Sequence, residues 1–316
     1  MFGKILSRNR EKIKVFWLTD SGADLPEGVP EPNHILPFRL VGKDFSLMDG
    51  IEISPERLSE LAKKQKKNLR SSEPPQEDFL SAYDAALKTH DFVFVITVSK
   101  HVSRTFFSAS VAAREFPNKV FVFDSNSASV GEGAFYHLLR KHIDNQKLTK
   151  KRKSTKKLSR DEGTEVKKAL LSFRPRIKTY VHSRSQIHLR KFGNLGTVES
   201  KLVKLSGFLP LYQTGPQNPP KLVGIFASKD ALLKKLKNLL TEEILKLKNP
   251  QIWIAETEKL PVEASLKDQM EKVFRFRKIT VKRTTPGTVL RFVAGEEFFA
   301  VSVFESEKEN EEQVRR

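Results

Sequence analysis

The 316-residue chain contains no cysteine, which excludes disulfide bonds, thiolate metal sites and cysteine nucleophiles. It also lacks a run of about 20 apolar residues, the length that a membrane-spanning helix needs. Its longest apolar run, 92–98 (FVFVITV), has the length of a strand. The N-terminal sequence MFGKILSRNREKIK has no apolar segment of the kind found in secretory signals. We therefore expect a cytoplasmic protein.

Familiar catalytic motifs are missing as well. The sequence contains no phosphate-binding P-loop, no G-x-G-x-x-G, no G-x-S-x-G and no H-E-x-x-H. Its seven histidines are scattered, and no pair has the spacing of metal ligands. We therefore expect a binding protein without a cofactor or a metal, and not an enzyme.

The elements that the sequence does contain alternate along the chain. Strand-like runs at 13–19, 92–98 and 120–123 are followed by helical patterns, which is typical of an α/β fold with a mostly parallel sheet. Later strand-like segments include 177–182, 288–292 and 298–304, and they favour a mixed or antiparallel sheet. We predict four regions: an N-terminal α/β domain (12–146), a basic linker or insertion (147–168), a C-terminal α/β domain (169–304) and a polar tail (305–316).

Positive charge is in excess, with a formal net charge of +19. The segment Lys147–Lys168 holds ten Lys and Arg against three Asp and Glu. Such a run is either a solvated surface or a patch that attracts anionic membranes or an acidic partner. A nucleic-acid-binding protein is an alternative, but no helix-turn-helix or aromatic stacking platform supports it, and we expect no nucleic acid partner. A phosphotransfer enzyme on a related fold is a further alternative, for which no phosphate loop is present.

Hydroxyl-rich loops follow several predicted strands. The carboxyl ends of parallel strands are where open α/β sheets bind ligands, and helix N-termini favour anions. Serines at these positions either complete an anion site or only cap their helices. The loops are 19–21, 70–74, 99–105 and 124–127.

Five short motifs occur in a fixed order within the first 133 residues: TDSGADLP (19–26), MDGIEIS (48–54), SSEPPQEDF (71–79), TVSKHVSRTFFSA (97–109) and DSNSASVGEG (124–133). Together they resemble the DegV family, which carries T-D-S, D-G, T-S-Q-P-S, S-S-x-L-S-G-T and D-S-x-x-x-S-x-G-x-G in that order. The second half is similar more loosely. HLRKFGNLG (188–196) lies at the family's L-x-x-G-G-R-I, and RFVAGEEFFAVSV (291–303) lies at its H-x-G-P-G-A-x-G.

The resemblance implies two α/β domains that hold a long-chain fatty acid, in some bacteria as the fatty-acid-binding subunit of a fatty acid kinase. Carried over by position, the hydroxyls of Ser71 and Ser103 hydrogen-bond the carboxylate. Ser72 and Ser99 are expected to support them.

Three departures from the family pattern affect coupling to a kinase more than lipid binding. The glycine after the second serine is Arg104, the arginine of G-G-R-I is Asn194, and the histidine falls at Arg291. Arg104 or Arg291 either pairs with the carboxylate through its guanidinium or is an ordinary surface arginine.

A fatty acid also requires an apolar tunnel. Each buried CH₂ contributes about 0.8 kcal/mol, so a sixteen-carbon chain supplies roughly 10 kcal/mol before the costs of binding. The residues predicted to line this tunnel are Phe106, Phe107, Phe135, Phe208 and Leu209.

Overall fold

A computed structural model describes residues 14–65, 68–145, 177–183, 207–215, 220–262, 264–266 and 279–305. The predicted basic segment (147–168), Asn194 and the tail after residue 305 lie outside these ranges. The division of the chain into four regions therefore stays a prediction.

The strands are β1 Val15–Asp20, β2 His34–Leu36, β3 Arg39–Val41, β4 Ser46–Met48, β5 Arg70–Ser72, β6 Phe92–Thr97, β7 Val120–Asp124, β8 Ile177–Ser183, β9 Leu209–Thr214, β10 Lys221–Phe226, β11 Pro250–Glu256, β12 Thr280–Thr284 and β13 Phe298–Glu305. The α-helices of seven residues or more are α1 Pro55–Gln65, α2 Gln76–Leu87, α3 Thr105–Ala112, α4 Val130–Asn145, α5 Lys229–Lys246 and α6 Thr288–Ala294.

The first sheet is parallel and has the order β2-β1-β6-β7. Its central strand β6 is buried along its whole length, which explains its uninterrupted apolar sequence. Side chains alternate between the two faces. Val93 and Val95 pack with α2 and α3, whereas Phe94 and Ile96 pack with α4.

The second sheet has six strands in the order β10-β9-β8-β13-β11-β12, and only the β11–β12 pair is parallel. Helix α5 covers one face. Helix α4 packs on the other, because Phe135 of α4 shares a hydrophobic cluster with Trp253 and Phe298 of this sheet and Trp17 of the first sheet. One core therefore joins the two sheets through α4.

A small antiparallel sheet, β4-β3-β5, lies beside this core. Leu40 of β3 and Leu58 of α1 form a cluster with Val289 of α6. Strand β5 contains Ser71, which pairs with Leu40 across the sheet. The residues 70–74, predicted to form a loop, therefore begin with a strand.

The predicted fold class, a parallel N-terminal sheet with helices and a mixed C-terminal sheet, is confirmed. The strand predicted at 288–292 is wrong, because Thr288–Ala294 is helix α6. Its β-branched residues favour a strand locally, but the backbone N–H of Val289 is bonded to Asp49 at 3.0 Å and its side chain is buried. Tertiary contacts override local propensity here.

Candidate functional site

A pocket lies at the carboxyl edge of the parallel sheet, between β1 and β6. At this point the strand order changes direction, since β2 is on one side of β1 and β6 on the other. Open α/β sheets bind ligands at such switch points. Gly22, after β1, and Val98 and Ser103, after β6, line the pocket.

The pocket has a polar side and an apolar side. Its polar residues are Ser71, Ser72, Glu73 and Ser103, and its larger apolar residues are Phe38, Val98, Val102, Val289, Leu290 and Val293. The pocket is partly open to solvent, and its volume of about 70 Å³ offers space for roughly five water-sized groups. This arrangement suits a small polar head attached to an apolar body.

The structure brings Ser71 and Ser103 together in this pocket, although they come from different elements 32 positions apart in the sequence. Ser71 lies in β5 and is half-buried. Among the described residues, none hydrogen-bonds its hydroxyl group. That hydroxyl is therefore available to a ligand.

Ser103 precedes α3 and is held by Thr105. The two hydroxyl oxygens are 2.8 Å apart, and the Thr105 backbone N–H donates to the Ser103 Oγ at 3.3 Å. When the Thr105 hydroxyl donates to the Ser103 Oγ, the Ser103 O–H remains free to donate to an anion. The N-terminus of α3 adds a favourable potential for negative charge at this position.

The other predicted site residues are placed differently. Ser72 lines the pocket, but its hydroxyl donates to the carbonyl oxygen of Glu73 at 3.2 Å. Ser99 is buried and its Oγ accepts from the His101 backbone at 3.2 Å, so it shapes the loop. Arg104 is exposed and does not line the pocket.

Arg291 does not line the pocket either. Its guanidinium binds the carboxylate of Glu258 at 3.2 Å, and its Nε donates to the Pro286 carbonyl at 3.0 Å. The arginine is therefore already paired at the far side of α6.

None of the five residues predicted for the apolar tunnel lines this pocket. Phe135 belongs to the core between the sheets and Leu209 to the core under α5. Phe107 is 52% exposed. The apolar wall is instead formed by α6, which includes the segment 288–292 that was predicted to be a strand.

Two buried carboxylates anchor the start of α6. Asp24 accepts from the Gly287 backbone at 2.9 Å, and Asp49 accepts from the Val289 backbone at 3.0 Å. Both acids belong to the N-terminal half, so they fix the pocket wall across the molecule. Burial raises the pKa of Asp24 to about 7, against the opposing bonds from Ser129 and Gly287. Burial likewise raises the pKa of Asp49.

The sequence offered a signal for this anchor. The Pro-Gly of the family's H-x-G-P-G pattern matches Pro286-Gly287, in the loop between β12 and α6, whereas the run 291–303 contains no proline. This match puts the pattern's histidine at Arg283 and not at Arg291. A Cβ on Gly287 would lie 3.2 Å from Asp49 Oδ2 and 3.3 Å from the Ser21 carbonyl oxygen. A glycine is therefore favoured where Asp24 and Asp49 converge.

The described residues contain no group of three or more His, Cys, Asp or Glu that could hold a metal ion. Within the same ranges, no helix is long and apolar enough to cross a bilayer.

Comparison with known proteins gives one family. The family described as "Uncharacterised protein, DegV family" matches residues 12–306. A DegV domain-containing protein of Staphylococcus aureus is 25% identical over 272 residues, which cover 85% of this chain and 91% of that protein.

Solved structures share the fold. A DegV family protein from Thermus thermophilus, described as fatty acid binding, superposes with a TM-score of 0.73 at 18% identity, covering 92% of this chain and 99% of its own. The Fatty Acid Kinase (Fak) B3 protein of Streptococcus pneumoniae, solved with linoleic acid, superposes with a TM-score of 0.72 at 18% identity, covering 93% and 100%.

Proposed function

The chain belongs to the DegV family, and from this premise we propose that it binds a long-chain fatty acid and carries it without transforming it. One observation supports this most: Ser71 and Ser103 line the same pocket as the apolar wall of α6. Structural neighbours solved with linoleic or stearic acid use the same fold for such ligands.

The carboxylate lies between the hydroxyls of Ser71 and Ser103 in this proposal. A buried carboxylate needs donors, because an unpaired charge in an apolar site is strongly unfavourable. Both hydroxyls can donate, and the N-terminus of α3 adds to the attraction. Ser72 is already bonded to the Glu73 carbonyl and has a lesser role.

The acyl chain runs along the apolar wall that Val289, Leu290 and Val293 present. The pocket volume of about 70 Å³ suits the head and the first methylenes. The rest of a full-length chain extends beyond this volume, and we expect α6 to shift outwards to admit it. The anchors of α6 at Asp24 and Asp49 therefore influence how readily the ligand enters and leaves.

In this proposal, the bound fatty acid serves transport or metabolism in the cytoplasm. One such role is to present the fatty acid to the catalytic subunit of a fatty acid kinase. The Fak B3 neighbour supports such a partner. Docking of Lys147–Lys168 on an anionic membrane would suit the same role, and it stays a prediction outside the described residues.

The test is the double substitution Ser71→Ala with Ser103→Ala. Removing both donors leaves the carboxylate without its partners, at a cost of about 1–3 kcal/mol, or roughly 5- to 150-fold in Kd. Fluorescent fatty acid displacement from the delipidated protein measures the change. Ser59→Ala on the exposed face of α1 is the control, because the Ser59 hydroxyl donates only to the Pro55 carbonyl. A double variant with native affinity would refute this site.

A further inference from the structure

Two buried carboxyl groups meet behind the pocket wall. Asp20 ends β1 and Glu132 lies in the first turn of α4, with exposures of 1% and 0%. The position that a Cβ would occupy on Gly22 is 2.8 Å from Asp20 Oδ1 and 3.2 Å from Glu132 Oε2. Gly22 itself lines the pocket, so the pair lies next to the ligand space.

The two members of the pair differ in their hydrogen bonds. Asp20 accepts from the Gly22 backbone at 2.8 Å and from the Val98 backbone at 2.9 Å. Among the described residues, no donor reaches either oxygen of Glu132. A buried carboxylate without donors is strongly unfavourable, so Glu132 is held in its protonated form, in which its O–H can donate to Asp20.

The surroundings reinforce this state. Burial, together with the charges of Asp20 and Asp24, raises the pKa of Glu132 well above its usual range. Burial raises the pKa of Asp20 to about 7, although the bonds from Val98 and Gly22 oppose the rise. The pair therefore titrates as a coupled unit, in which Glu132 holds the first proton and Asp20 takes up the second.

Other charged groups near the pair are mostly acidic. They are Asp24 and Asp49 at the start of α6, Asp124 at the end of β7, and Glu73 on the polar side of the pocket. The cations nearby are engaged, since Lys100 lies 3.8 Å from Asp124 and Arg291 binds Glu258. Among the described residues, the pair has no ion-pair partner of its own.

We propose that binding of a fatty acid carboxylate in this pocket is coupled to the uptake of a proton by the Asp20–Glu132 pair. The inference rests on the proposed function and deepens it. A negative charge brought to the other side of Gly22 raises the proton affinity of both carboxyls, because the intervening medium has a low dielectric constant. The proton comes from solvent, and no bond of the ligand changes.

Linkage then fixes the direction of the pH effect. A ligand whose binding takes up a proton binds more tightly at lower pH, and it raises the pKa of the pair by the same coupling. Between about pH 7 and 8.5, free fatty acid is already ionised in water. The Kd for laurate should rise about two- to sixfold per pH unit in that window.

Isothermal titration calorimetry of the delipidated full chain tests this. Laurate is titrated at about pH 7.5 in buffers with different ionisation enthalpies, and dodecanol is the uncharged probe of equal chain length. The account predicts uptake of roughly 0.3–0.8 proton per laurate and almost none for dodecanol. Asp20→Asn removes the group that takes up the proton and should lower the uptake to less than about a third of the native value, whereas Asp84→Asn, on the exposed side of α2, should leave it unchanged.

The outcomes separate the two proposals. Tight laurate binding without proton uptake overturns the coupling and leaves the fatty acid site standing. Uptake that persists fully in Asp20→Asn places the proton on the ligand or elsewhere, and it also overturns the coupling. A chain that binds neither probe contradicts the proposed function itself. On the native chain, the absence of proton uptake with laurate overturns the coupling even when a variant fails to fold.

Discussion

The carboxyl edge of the parallel sheet and the layer under α5 are built on opposite principles. At the sheet edge, the fully or nearly buried residues include Asp20, Asp24, Asp124 and Glu132. On α5 itself, all five buried residues are apolar: Leu232, Leu233, Leu236, Leu240 and Ile244. Burying carboxyls costs free energy, whereas packing leucines supplies it. We therefore expect the layer under α5 to contribute mainly stability and the sheet edge to contribute the ligand contacts.

The backbone at the sheet edge also has an unusual conformation. Asn126 and Ser129, both at the sheet edge, have φ values of 51° and 57°, in the left-handed region that non-glycine residues seldom adopt. Ser129 then donates to Asp24. Strained residues of this kind cluster at functional sites, where the surrounding structure enforces them.

The largest effect is expected under α5. Leu236→Ala deletes a fully buried side chain and should lower the free energy of unfolding by about 2–5 kcal/mol, with little change in the Kd for fatty acid. Leu245→Ala lies on the same helix, and Leu245 is 59% exposed. This substitution should change the free energy of unfolding by less than about 0.5 kcal/mol. Urea denaturation measures both. An equal loss in the two variants would remove the contrast between the regions.

A smaller effect is expected at the anchor of α6. Asp49→Asn keeps an acceptor for the Val289 N–H but loses the oxygen that accepts from the Ser21 hydroxyl. Losing this hydrogen bond should weaken the attachment of α6 to Asp49 by about 1 kcal/mol. Fatty acid dissociation should then be roughly fivefold faster. Stopped-flow release of a fluorescent fatty acid measures the rate, and Asp44→Asn in the exposed turn nearby serves as control. Unchanged release would show that α6 does not control exit.

The smallest effect is expected at Glu73, which lines the pocket where the family pattern carries glutamine. Its negative charge opposes a ligand carboxylate, but partial exposure screens it. Glu73→Gln should therefore tighten binding by about two- to fivefold. Displacement titration compares it with Glu77→Gln on the exposed side of α2. Weaker binding would indicate that the ligand head lies away from Ser71.

The sequence was sufficient for the elements with strong periodic patterns. The apolar run 92–98 depends on local spacing, and strand β6 formed close to these predicted bounds, at Phe92–Thr97. The positions of Ser71 and Ser103 came from ordered motifs, which fix residue types at strand ends.

The apolar wall could not be predicted in this way. The helical state of Thr288–Ala294 depends on Asp24 and Asp49, more than 200 positions away in the sequence, and no local pattern reports such contacts. The burial of Glu132 was equally hidden, because it needs Asp20 of β1 and the packing of α4 between two sheets. Long-range burial decides the environment of this pocket, whereas the ordered motifs were enough to select Ser71 and Ser103, which line it.

The most direct test of the account is a crystal structure of the protein with a bound long-chain fatty acid. The account predicts carboxylate oxygens within about 2.5–3.0 Å of the Ser71 and Ser103 hydroxyls, with the acyl chain along Val289 and Val293. A carboxylate bound elsewhere, for example against Arg104 at the surface, with the pocket between β1 and β6 empty, would contradict it.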